Sequence, residues 1–180
     1  MILLQAYQHT MADHNRLDSE PDQPPPRSQI DWGFFFQWLL ATTVGWAIGW
    51  GLVGDISIGI VIGIGQWLVL RRFMFEPGWW VWASSIGWGV GWAVIVVVEI
   101  IPADAGIAGS GVIGLIFGLL LGTAQWLVLR QHVYGAGWWV LASTVGWAIA
   151  FTGLLGQTVI GVVAGIMTGL AMDLLLRFPR

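Results

Sequence analysis

From Trp32 onward apolar residues run almost without interruption to the last turn of the sequence. Turn residues and charges punctuate the run at Gly54-Asp55, Glu76-Pro77-Gly78, Pro102-Ala103-Asp104, Gly135-Ala136-Gly137 and Gly156-Gln157. These breaks leave apolar stretches at about 33–53, 56–75, 79–100, 106–130, 138–155 and 158–177, each near the roughly 20 residues that cross a bilayer core. The pattern predicts an all-α membrane protein with six transmembrane helices. Residues 1–30 differ in kind: His9 to Gln29 holds Asp13, Arg16, Asp18, Glu20, Asp22, Arg27 and Pro24-Pro25-Pro26, without apolar periodicity. That stretch is expected to be a disordered tail preceding a membrane domain at 31–180. Met1-Ile2-Leu3-Leu4 is too short for a signal peptide, and Met11 is an alternative start.

The chain repeats itself. Residues 59–94 align with 118–153 without a gap, pairing Gly59, Gly63 and Gln66–Arg71 with Gly118, Gly122 and Gln125–Arg130. Gly78-Trp79-Trp80-Val81, Ala83-Ser84 and Gly87-Trp88 recur as Gly137-Trp138-Trp139-Val140, Ala142-Ser143 and Gly146-Trp147. Ala41–Ile48 matches Ala142–Ile149, and Gly165, Gly169 and Arg177 stand where Gly59, Gly63 and Arg71 stand. The expectation is three copies of a two-helix hairpin, related by an axis along the membrane normal. In the third copy Met172 and Asp173 replace the Gln-Trp pair. The repeated QWLVLR and GWWxxASxxGW motifs resemble those of small multi-pass bacterial membrane proteins without an assigned activity. The resemblance covers about residues 33–177 and implies a membrane location; the bacterial inner membrane is expected.

Composition agrees with the pattern. Charged residues are only 9% of the chain, against roughly 25% in soluble domains, so a water-facing surface is hard to build. The 26 Gly and 14 Trp suit helix packing faces and membrane interfaces. Cys is absent, which removes disulfides, thiolate metal sites and Cys-linked lipid anchors; Lys is absent too, which removes Schiff-base chemistry. With six spans, Arg16, Arg27, Arg71, Arg72, Arg130, Arg177 and Arg180 fall on one side, and Asp55, Glu99 and Asp104 on the other. Both termini are therefore expected in the cytoplasm.

Small residues recur every fourth position: Gly59 and Gly63 in the second span, Gly106, Ser110, Gly114, Gly118 and Gly122 in the fourth, Gly161, Gly165 and Gly169 in the sixth. Such stripes pack helices within the chain or, on the fourth span, support self-association. Gln66 and Gln125 lie about 7 Å inside the arginine boundary, and Ser84 and Ser143 about 6 Å inside it. Bonds from Gln66 to Ser84 and from Gln125 to Ser143 are expected, because an unpaired amide in hydrocarbon is costly. Contact with a substrate or ion is the alternative. Trp46, Trp88 and Trp147 fall near mid-membrane, with Thr42, Ser84 and Ser143 one turn away as expected acceptors. They pack the core or line a groove for a pigment, quinone or lipid.

Asp173 is the carboxylate placed inside a span, and an ion pair with Arg177, Arg71 or Arg130 is expected; a proton or ion relay is the alternative. His132 stands alone beside Arg130, where a haem would need a second facing His. No dinucleotide, P-loop or metalloprotease motif occurs, and the dispersed arginines do not suggest nucleic acid. No catalytic, cofactor or metal residue is assigned. The sequence points to a non-enzymatic membrane protein acting through packing, as an assembly or accessory subunit. Its expected partners are the lipid bilayer, a further copy of itself or a membrane complex. The runner-up is a small transporter or channel using Asp173, Gln66 and Gln125.

Overall fold

A computed structural model describes residues 29–54, 57–74, 76–98, 106–154, 156 and 159–180. The expectations placed on the tail before residue 29, and on Asp55, Glu99, Asp104 and Gln157, fall outside these residues. Among the described residues there are six α-helices and no strand. They are α1 (Trp32–Ile48), α2 (Ile58–Leu70), α3 (Trp79–Val98), α4 (Gly106–Leu129), α5 (Gly137–Phe151) and α6 (Ile160–Leu175).

Each boundary has a local cause. Asp31 caps α1, its carboxylate accepting the N–H of Phe34 at 3.0 Å. At its far end α1 widens into a π-helical turn, Gly49–Val53, and stops at Gly54, whose φ of 105° ends the helix. The α2–α3 and α4–α5 turns are equivalents in the repeat, and both pass through the left-handed region, at Glu76 (φ 51°) and Gly135 (φ 70°). Glycine takes that conformation freely; a residue with a Cβ loses roughly 1–2 kcal/mol there. Gly153 and Gly156, at φ 64° and 90°, close α5 sooner than the apolar pattern predicts.

The helices are consequently shorter than the apolar stretches. Among the described residues two, α3 over Trp79–Val96 and α4 over Gly106–Leu129, are long and apolar enough to cross a membrane, rather than the six expected. α2, α5 and α6 are apolar helices of 13, 15 and 16 residues.

Each helix packs on its neighbours in sequence, and α6 returns to α1, so the six form a closed ring. Tryptophans from α1, α3 and α5 fill its centre in two layers. Trp38, Trp80 and Trp139 meet edge to face at 5.6–5.9 Å between ring centroids. Eight residues deeper Trp46, Trp88 and Trp147 form a second triangle at 5.4–6.1 Å. The polarity of the bundle is inverted relative to a water-soluble one. Leu40, Trp82, Val96, Leu115, Trp138 and Leu174 face outward, whereas Thr42, Gln66, Ser84, Gln125, Ser143, Thr168 and Asp173 are buried. Arg71, Arg72, Arg130, Arg177 and Arg180 all follow even-numbered helices at one end of the ring. There Phe34, Leu70, Met74, Leu129, Val133 and Leu175 form one apolar cluster.

Candidate functional site

The polar groups inside the ring form two matching links, whose glutamines and tryptophans recur at an offset of 59 residues. Gln66 on α2 donates from Nε2 to Thr42 Oγ1 on α1 (3.0 Å) and accepts at Oε1 from Trp80 Nε1 on α3 (3.0 Å). Gln125 on α4 donates to Ser84 Oγ on α3 (2.9 Å) and accepts from Trp139 Nε1 on α5 (3.1 Å). Each glutamine thus ties its helix to both neighbours. The expected pairs Gln66–Ser84 and Gln125–Ser143 do not form. The amide does bond across its own hairpin, but to the indole; its NH₂ reaches back to the hydroxyl of the preceding hairpin.

The third link is altered. Met172 occupies the glutamine position, and Ser143, which that glutamine would face, is buried with its hydroxyl unbonded. The expected bond between Trp147 and Ser143 is therefore absent as well. Trp38 instead donates to Thr168 Oγ1 at 3.0 Å, and Thr168 donates to the carbonyl of Ala164 one turn back. Thr168 was not legible as a site residue, since its neighbours Gly165 and Gly169 read only as packing positions.

Asp173 sits where the other copies hold Trp67 and Trp126. Those tryptophans carry the following arginine over their rings, Arg71 at 5.9 Å and Arg130 at 5.0 Å from the centroid. Asp173 takes the same partner as an i,i+4 ion pair, Arg177 Nη2 to Oδ2 at 2.5 Å, with the carboxylate only 7% exposed. Its other oxygen accepts the backbone N–H of Asp31 at 3.1 Å, where α1 begins. That contact has a topological reason. The α2–α3 and α4–α5 neighbours are joined by a short turn at this end, whereas α6 and α1 are not consecutive in the chain. Asp173 bridges that seam, its negative charge set against the positive end of the α1 dipole. Asp31 carried no sequence signal for this role.

The glycine stripes pack inside the chain. A Cβ on Gly118 would lie 2.5 Å from the Ser143 carbonyl oxygen, and one on Gly114 would run into that of Trp147, so this part of the α4 stripe is taken up by α5. Gly122 faces Ser143, Gly59 faces Trp88 and Gly63 faces Ser84. Gly161 and Gly165 face Trp46 and Thr42 across the seam, and Gly169 faces Trp38. Between the two tryptophan layers remains a space of about 10 Å³ beside Gln66, Ser84, Gln125 and Thr168, room for about one water.

Comparison with protein-family models, with curated proteins and with solved structures finds no match.

Proposed function

We propose that this chain is an integral membrane protein of six spans, built as three repeated two-helix hairpins. Both termini lie on the cytoplasmic side of a bacterial inner membrane, and the chain acts by packing, as a non-enzymatic assembly or accessory subunit. The inverted polarity carries this reading: large apolar side chains clothe the outside of the ring, while within it the two amides bond hydroxyls and indoles and the carboxylate pairs with an arginine. Water on that outer face would cost what lipid does not. The short helices fit a locally thinned bilayer, since α2, α5 and α6 span about 20–24 Å against a core of about 30 Å. Arginines gathered at one end support the orientation.

The competing reading, a small transporter or channel using Asp173, Gln66 and Gln125, needs a hydrated path through the ring. Both amides are occupied on both sides, and the space beside them holds about one water. Reporter fusions test the proposal. Those after residue 30, near residues 76 and 134 and at the C-terminus should read cytoplasmic; those near 55, 104 and 157 should read external. An external C-terminus would break the hairpin scheme. Release of the chain from membranes by alkaline carbonate would refute the integral assignment.

A further inference from the structure

On the outside of the ring, between α5 and α6, a groove of about 1040 Å³ descends to the arginine-bearing end. Leu141, Val145, Met167 and Leu174 wall it with hydrocarbon, and Phe178 and Pro179 close its lower end. The terminal segment is held there by backbone bonds: Tyr134 donates to the Phe178 carbonyl at 2.8 Å, and Arg180 to that of His132 at 2.9 Å. Two guanidiniums stand at this end. Arg177 lines the groove, with Nη2 on Asp173 and a buried Nε that has no partner. Arg180 lies over the ring of Tyr134, itself a lining residue, at 5.3 Å.

We infer that this groove binds one anionic phospholipid, its phosphate between Arg177 and Arg180 and its acyl chains along α5 and α6. The inference rests on the membrane reading above. An amphiphile with an anionic head satisfies both halves of the site. Free phosphate leaves the hydrocarbon walls bare, a zwitterionic lipid brings no net charge, and an apolar helix brings no anion for the guanidiniums of Arg177 and Arg180. Basic recesses between helices on the cytoplasmic side suit phosphate head groups, each arginine adding about fivefold to retention.

The test is native mass spectrometry of the full chain, delipidated in detergent and titrated with phosphatidylglycerol, with phosphatidylcholine of the same chain length, or with glycerol phosphate. Phosphatidylglycerol should bind one per chain in preference to phosphatidylcholine, and glycerol phosphate should not displace it. Arg180→Gln, at an exposed position, should lower its retention about fivefold. Val145→Phe, which fills the groove from an exposed position without touching either arginine, should abolish the bound lipid. Equal retention of the two lipids, displacement by glycerol phosphate, or indifference to both variants would overturn the inference. So would a two-chain mass that Val145→Phe returns to one, which would give the groove to a second copy. Carbonate extraction of the same preparation separates these outcomes from failure of the membrane reading.

Discussion

Ser84 and Ser143 occupy equivalent places in the repeat, are equally buried, and differ in one respect: Ser84 accepts from Gln125, and Ser143 bonds nothing. Substituting each by Ala removes the same oxygen from similar surroundings, so the packing terms largely cancel in the comparison. Ser84→Ala deletes a bond averaging about 0.6 kcal/mol in membrane bundles and reaching about 1.7. It also leaves one N–H of the Gln125 amide unsatisfied inside the ring. Ser143→Ala deletes a buried hydroxyl that has no compensating bond, a group whose burial costs about 1–3 kcal/mol. The first variant should therefore be destabilised by about 1 kcal/mol and the second unchanged or stabilised by up to about 1 kcal/mol. Unfolding by SDS in mixed micelles, read by pulse proteolysis, resolves that difference. A companion, Met172→Gln, should make Ser143→Ala costly by supplying the missing donor. Equal effects of the two serine substitutions would refute the assignment of Gln125 to Ser84 and of Ser143 to an unfilled link.

Three further outcomes are expected. Asp173→Asn should destabilise by about 2 kcal/mol, below the ~3–5 of a fully buried broken pair, and Asp173→Asn with Arg177→Gln should recover most of it; equal loss in single and double variants would refute the ion pair. Gly118→Ala should destabilise strongly, because its Cβ meets backbone at 2.5 Å, whereas Gly89→Ala, with nothing within 4 Å, should be neutral or stabilising by up to about 1 kcal/mol in the same SDS titration. Glu76→Gly should stabilise by up to about 1 kcal/mol by relieving the left-handed conformation that its counterpart Gly135 adopts without strain; a loss on thermal unfolding would show that the Glu76 side chain makes a compensating contact.

Helix order was legible in the apolar run, and α3 and α4 begin at the expected residues, Trp79 and Gly106. Helix ends were less so, because hydropathy continues through Thr152 while Gly153 turns the backbone. Close approach could be read from the glycine spacing, and the pairing of Asp173 with Arg177 from their i,i+4 interval. Partner choice for the glutamines could not. Linear reasoning pairs groups that flank the same turn, but Gln125 finds Ser84 on α3, the helix before it in the chain, which packs on α4 from the other side. Asp31 meets Asp173 across 142 residues of chain, a contact made only when α6 closes on α1.

The stacked tryptophan triangles have an optical consequence. Six of the 14 indoles sit in two chiral clusters with ring centroids 5.4–6.1 Å apart, close enough for their excited states to couple. The near-ultraviolet circular dichroism of this chain should carry intense indole bands that vanish when the ring loosens, even while the helices persist. Closure of the bundle is thereby written into its own spectrum, and a label-free measurement can follow it apart from secondary structure.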